Sequence, residues 1–457
     1  MRITLLLGLL GLVACAPTVP NSVTKGSSSL DVLPNVSAPM MAFAAAPGIS
    51  VLRPNQQIAQ DFIDLEFHME SGLALPDLTR FEGPISIAMT GGVPPSAQHD
   101  LTLLIARLRA EAGIDIRQAA SGSAATITIE FLPKAVLRRL EPTAACFVVP
   151  NVSSMAEYRG KRGSRALDWQ LLTRRDRAAI FIPSDTSPQE VRDCLHEETA
   201  QSMGPLNDLY RLPDSVFNDD NFQSVLTEFD MLMLKMHYAP ELTTGMGEAD
   251  VLARVPALVA RLNPKGQYPG GWMSADTPRA WIDAVGTALG PNAPQATRLP
   301  AARRMLSIAQ SQGWQDNRLG FAWFALGRLE APTDPIAAEA SYSNAARIYA
   351  SLPDDGVHLS HALMQLSAIA LASGHADAAL KLADQALPLA MVGQNAALLA
   401  TLMLIKSECL AIQGHPAEAE ALRLDSLPAA RYAFGSQQEV QARASEIAAL
   451  AKRGQRG

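Results

Sequence analysis

The chain has 457 residues, a formal net charge of −7, and 48% hydrophobic but only 5% aromatic residues. That length calls for two or three domains, and 18% charged residues beside so much apolar material excludes global disorder. The mild acidity gives no electrostatic footprint for nucleic acid, and four cysteines are too few for a disulfide scaffold.

The N-terminus opens with Met1-Arg2, a short positive start, followed by an apolar run from Ile3 to Val13. The run is shorter than the ~20 residues a bilayer-spanning helix needs. A charged start, a short apolar stretch and small residues before a cut define a secretory signal. The run ends at Leu12-Val13-Ala14-Cys15, which resembles a bacterial lipobox. A plain signal peptide that ends near a cysteine is the alternative. The resemblance implies that Cys15 is acylated and becomes the mature N-terminus, anchoring the protein without spanning the membrane. Ala16 follows where Asp would retain such a protein at the inner membrane. The expected location is therefore the cell envelope, lipid-anchored to the outer membrane and facing the periplasm. Residues 1–14 are then the signal peptide. Residues 15–50, rich in Pro, Ser and Ala without period, are a disordered tether.

That compartment oxidises thiols. With Cys15 lipidated, Cys146, Cys194 and Cys409 remain, and one pair plus one leftover is the parsimonious count. Cys146 and Cys194 share a predicted domain and are the expected bridge. Cys409 lies in an alanine-leucine helix and reads as a small buried apolar residue.

Residues 51–240 mix helix and strand. Ile58, Phe62, Leu65 and Met69 fall at helical spacing. The stretch Pro84 to Met89 alternates like a strand. Leu101, Leu104, Ile105 and Leu108 line one side of a helix that Gly113 stops. Short strands are expected at Ile114–Ile116, Thr126–Phe131, Cys146–Val149 and Ala178–Ile182. Ser187, Pro188 and Glu190 then form an N-cap, first-position proline and capping box, opening a helix that runs to Met203 and stops at Gly204-Pro205. Thr227 caps a second helix through about Tyr238. Residues 241–295, rich in Pro and Gly, read as a connecting segment with short helical pieces.

From 296 to 457 the chain reads as all helix. Gly374-His375-Ala376-Asp377-Ala378-Ala379 recurs 40 residues later as Gly414-His415-Pro416-Ala417-Glu418-Ala419. A weaker copy includes Trp323, Leu326, Gly327, Ala338, Tyr342 and Ala345. The pattern resembles tetratricopeptide repeats, which implies a stacked superhelix that binds a protein or peptide partner. A generic helical bundle is the alternative.

The stretch that could carry chemistry is Cys194 to Asp208. His196-Glu197 invites the zinc-peptidase pattern His-Glu-x-x-His, but Ala200 stands where the second ligand is needed. One residue on, Glu197, Gln201, Gly204 and Asn207 fall at the spacings of His-Glu-x-x-His-x-x-Gly-x-x-His. This register resembles the metzincin motif with its ligands replaced. It implies Glu197, Gln201 and Asn207 at the three metal-ligand positions, Glu198 at the general base, and a mixed sheet with the active-site-type helix behind it. The string also resembles a bacterial family known as domain of unknown function 2927. That match rests on Thr79 to Pro84, Arg192 to Leu195, Glu197-Glu198, Gln201, Gly204, Asn207-Asp208, Ser215 to Asp220 and Gly245-Met246. It implies no established activity.

Two of the three ligand positions hold neutral amides, which are poor zinc ligands. A divalent metal held by oxygens is conceivable, with Asp208 or Asn218-Asp219-Asp220 adding charge. That last cluster otherwise reads as a solvated acidic loop. The fold class expected is an α+β zincin-like domain followed by an all-α tetratricopeptide-like array. The function expected is a non-catalytic, degenerate zincin-like binding module. The alternative is a metallopeptidase-like hydrolase using Glu198 as general base with an atypical metal site.

Overall fold

The computed structural model describes residues 33, 40–43, 51, 53–120, 122–268, 276–353 and 356–455. The signal peptide at 1–14, Cys15 and most of the 15–50 tether lie outside the described residues. The chain divides into two compact units, one of residues 44–276 and one of residues 1–43 with 277–457. The stretch 241–295 is therefore shared. Its helices before Asp276 belong to the first unit, and those from Thr277 belong to the second.

The first unit is a five-stranded sheet with helices on its faces. Helix α1 (Asn55–Phe67) precedes β1 (Ile85–Gly91), α2 (Ala97–Ala110), β2 (Ile116–Gln118) and β3 (Ile127–Leu132). Short α3 (Lys134–Leu137), β4 (Phe147–Pro150), α4 (Met155–Lys161) and β5 (Ala178–Pro183) follow. The motif helix α5 (Pro188–Met203), then α6 (Glu228–His237), α7 (Glu248–Leu252) and α8 (Val255–Leu262) complete it. Strand order is β2-β1-β3-β5-β4, with β4 antiparallel to β5 and the remaining pairings parallel.

Strand β5 shows why the sheet is buried on both sides. Ala178, Ile180 and Ile182 enter the main core, with residues of α1, α2, α5, α6 and α8. Ala179 and Phe181 point the other way, into a smaller core with Val149, Met155 and Tyr158. Both faces being covered, the strand reads as a continuous apolar run rather than an alternating one. Strand β2 lies two residues later than the sequence pattern places it. Gly113 adopts φ 73°, and the Ile114 amide turns back onto the Leu108 carbonyl, so Ile114 closes α2 and Ile116 is the first to pair with β1. The disulfide Cys146–Cys194 ties the entry of β4 to the middle of α5 across 48 residues of chain. Cys409 is a buried free thiol in the second unit.

The second unit is built of α9 (Arg279–Leu289), α10 (Gln295–Ser311), α11 (Asn317–Glu330), α12 (Pro335–Tyr349) and α13 (Gly356–Ala372). It continues with α14 (Ala376–Val392), α15 (Ala396–Ile412), α16 (Pro416–Phe434) and α17 (Gln437–Gly454). The 40-residue sequence repeat is a structural one. Gly374 and Gly414 turn the chain at φ 82° and 86°, and the His375 and His415 amides bond back to Ala370 and Leu410, each five residues earlier. Ala379, Ala383, Ala386 and Ala390 are fully buried along α14, so its neighbours approach closely. At the weaker copy, Gly327 lies where an added Cβ would come within 3.1 Å of the Tyr342 ring.

Candidate functional site

Helix α5 is held rigidly at both ends. Ser187 accepts from the Glu190 amide and Glu190 accepts from the Ser187 amide, completing the capping box. At the other end, the buried Arg175 guanidinium donates to the carbonyls of Gln201, Ser202 and Gly204 at 2.6–2.9 Å. Its neighbours Arg174 and Asp176 are exposed. Arg175 instead satisfies the orphan carbonyls of α5 from inside the fold. Gly204 ends the helix because α6 leaves no room: a Cβ there would stand 3.1 Å from Leu234.

The three positions that the metzincin register assigns to metal have different partners in the structure. Asn207 is buried and its amide donates to the Asp64 carbonyl at 2.8 Å, fastening the loop after α5 to α1. Arg211 reinforces that attachment through Asp61 and Asp64 at 2.9 and 2.6 Å. Gln201 faces Asp208, donating to it at 3.5 Å. Glu197 shares its electrostatic surroundings with Asp219, Glu70 and Asp193. Asp208, one residue beyond Asn207, meets Gln201 and lies within reach of the charges of Glu70 and Glu197.

The result is a graded acidic cluster. Glu70 and Asp219 are exposed, Glu197 and Asp208 are half-buried, and Glu198 lies at the base with 4% of its surface exposed. Burial, followed by the charges of Glu197 and Glu70, pushes the Glu198 carboxyl well above its usual range. Burial and then Glu70 and Glu197 do the same to Asp208. Glu197 is raised by burial and by Asp219, Glu70 and Asp193. Glu198 Oε2 and Asp208 Oδ1 are buried oxygens with no hydrogen-bond partner. Burying acceptors without partners costs free energy. Such a cluster is a candidate site on physical grounds.

The histidines stand apart from this cluster. His196 is buried and accepts from the Leu226 amide at 3.0 Å through Nδ1. Burial, with Arg192 and Arg107 nearby, lowers its pKa well below the usual value, so it is neutral. His237 is fully buried and paired with Glu66 at 2.9 Å, which joins α6 to α1. The Asn218-Asp219-Asp220 stretch is no solvated loop, since Asn218 and Asp220 are buried and bonded to each other at 2.9 Å. Asp219 alone points outward, and it accepts from the Tyr210 hydroxyl at 2.8 Å.

The donor set does not fit zinc. Gln201 and Asn207 offer only neutral amide oxygens, His196 Nδ1 is taken by the Leu226 amide, and His237 Nδ1 is taken by Glu66. Among the described residues, no three His, Cys, Asp or Glu side chains gather in a geometry that could hold a metal ion. Glu70 and Tyr210 are the members the sequence pattern misses. Glu70 lies in a turn whose ends meet at His68 and Ala74, and no periodicity links it to α5.

Residues 55–257 match a family model described as "Protein of unknown function (DUF2927)". The match covers the sheet unit through the start of α8 and none of α9 to α17. No curated protein and no solved structure matches the chain. No described helix is long and apolar enough to cross a membrane.

Proposed function

We propose that the chain is a lipid-anchored envelope protein whose first unit is a zincin-like domain working without zinc, as a binding module for a cationic group on a protein or peptide partner. The zincin-like reading is supported by a mixed sheet, one helix after β1, the motif helix directly after β5, and a second helix behind it. The observation that carries the binding role is the partnerless buried Oε2 of Glu198, set among the charges of Glu197 and Glu70, with Asp208 tied to the same Glu70. An ammonium group has three donors and one positive charge. It would satisfy that oxygen and draw the clustered carboxyls back to their ionised forms. A zinc ion would need imidazole or thiolate ligands that this site does not present.

The test is titration of the full chain with a short lysine-containing peptide and with its norleucine counterpart. The lysine peptide should bind at least about tenfold more tightly, with proton release, and Glu198→Gln or Asp208→Asn should remove that preference. Binding should strengthen between pH 6 and pH 8, because the ionised carboxylates are the binding form. Equal binding of the two peptides would sink the proposal. Tighter binding of calcium or manganese alone, lost in the same variants, would replace it with an oxygen-ligated metal site.

A second reading rests on Glu198 itself. A buried carboxyl with a raised pKa beside a second one is also the arrangement of a general acid–base pair. Peptide cleavage by the unmodified chain, abolished by Glu198→Gln, would favour that hydrolase.

A further inference from the structure

The tether contains residues that do not behave as a free linker. Leu33 is fully buried in the core of the last helices. Its amide donates to Gln441 Oε1 at 3.1 Å, and Gln441 Nε2 donates to the Leu33 carbonyl at 2.6 Å. The Gln441 amide thus engages both polar groups of one backbone unit, as a neighbouring strand would. Farther along, the Met41 amide donates to the Pro428 carbonyl in α16 at 3.0 Å, and the Met41 side chain packs against the same core. Phe43 meets the Tyr432 ring edge-on at 6.2 Å, beside Ala396 and Ala433.

We infer that the surface formed by α15, α16 and α17 is a binding site for apolar peptide, and that Leu33 together with Met41 to Phe43 of this chain are its resident occupants. Three features fit that partner chemistry. Recognition of Leu33 and Met41 runs partly through backbone groups, which any sequence supplies. The apolar anchors Leu33, Met41 and Phe43 enter sites lined by alanines, Tyr432 and Phe434. Met40 and Ala42 between them stay exposed, Met40 at 45%. The occupant stands between the expected anchor at Cys15 and the sheet unit, so any competing peptide must displace it.

The experiment uses the full chain and a fluorescent peptide with the sequence of residues 31–45. In the unmodified chain the resident segment competes at an effective concentration on the order of millimolar. The double variant Met41→Asp with Phe43→Asp should release the surface and bind the free peptide at least about tenfold more tightly than the unmodified chain. Adding Gln441→Ala or Tyr432→Ala to that background should weaken binding again, while circular dichroism stays unchanged. Equal binding by the unmodified and double-variant chains would overturn the inference. So would binding that persists undiminished in both the Gln441→Ala and Tyr432→Ala chains, or no binding to the double variant at all. The lysine-peptide titration reads a different unit, so either result leaves the other proposal standing.

Discussion

Glu198 costs the fold stability that the sheet unit would keep with an amide in its place. Its carboxyl is buried, one oxygen lacks a partner, and its neighbours are acids. A carboxyl whose folded pKa is raised holds a proton that the unfolded chain has already released. Its stabilising share is complete below the unfolded value of about 4.3 and is lost as pH rises toward the folded one. Glu197 and Asp208 shift in the same direction and act with it. The melting temperature of the chain should therefore fall between pH 5.5 and pH 8. Glu198→Gln should flatten that slope and raise the value at pH 8 by about 2–4 °C, the shift that ~1 kcal/mol gives in a unit of this size. Differential scanning fluorimetry across pH checks both; parallel slopes for the two chains would show that Glu198 is not the group responsible. Spacing alone locates Glu197, Glu198 and Gln201 on one helix. It does not fix Asn207, because the loop after α5 is held by the Asn207 bond to Asp64 and not by helical period.

Helices and turns follow local chemistry closely in this chain. The capping box at Ser187 and the cap at Thr227 are present as the sequence pattern expects, and Thr227 also forms a box with Asp230. The repeated glycines at 374 and 414 both take left-handed conformations that side chains adopt at a cost of roughly 1–2 kcal/mol. They differ in surroundings. A Cβ on Gly414 meets open space, whereas one on Gly374 would stand 2.6 Å from the Gly454 carbonyl at the end of α17. Gly414→Ala should cost about 1 kcal/mol in urea denaturation. Gly374→Ala should cost clearly more and expose the α17 amides to hydrogen exchange. Equal losses at both positions would mean that α17 does not press on the first turn. The offset of 40 residues was legible from the sequence, but the docking of α17 against Gly374 was not. No repeat signal links those positions.

At the scale of the whole molecule, the chain joins a sheet unit and a helical unit, with an N-terminal signal expected to place both at a membrane. That placement predicts behaviour in detergent. Expressed in a Gram-negative bacterium, the full chain should partition into the detergent phase of a cloud-point separation, and Cys15→Ala should move it to the aqueous phase. Detergent partition of the Cys15→Ala chain would remove the lipid anchor from the account.

The sequence by itself determined what short-range chemistry controls. Helix caps, strand runs buried on both faces, the glycine turns and the 40-residue offset all depend on residues within a few positions of one another, so they can be read in order. Tertiary structure decided what depends on long-range meeting. It brought Glu70 beside Glu198 and Asp219 beside Glu197, fastened Asn207 to Asp64, gave His196 to Leu226 and His237 to Glu66, and laid Leu33 against Gln441 across 408 residues of chain. Those pairings are set by how packed elements converge. No local pattern encodes that convergence, and it leaves a cluster of buried acids where the sequence suggested a zinc motif.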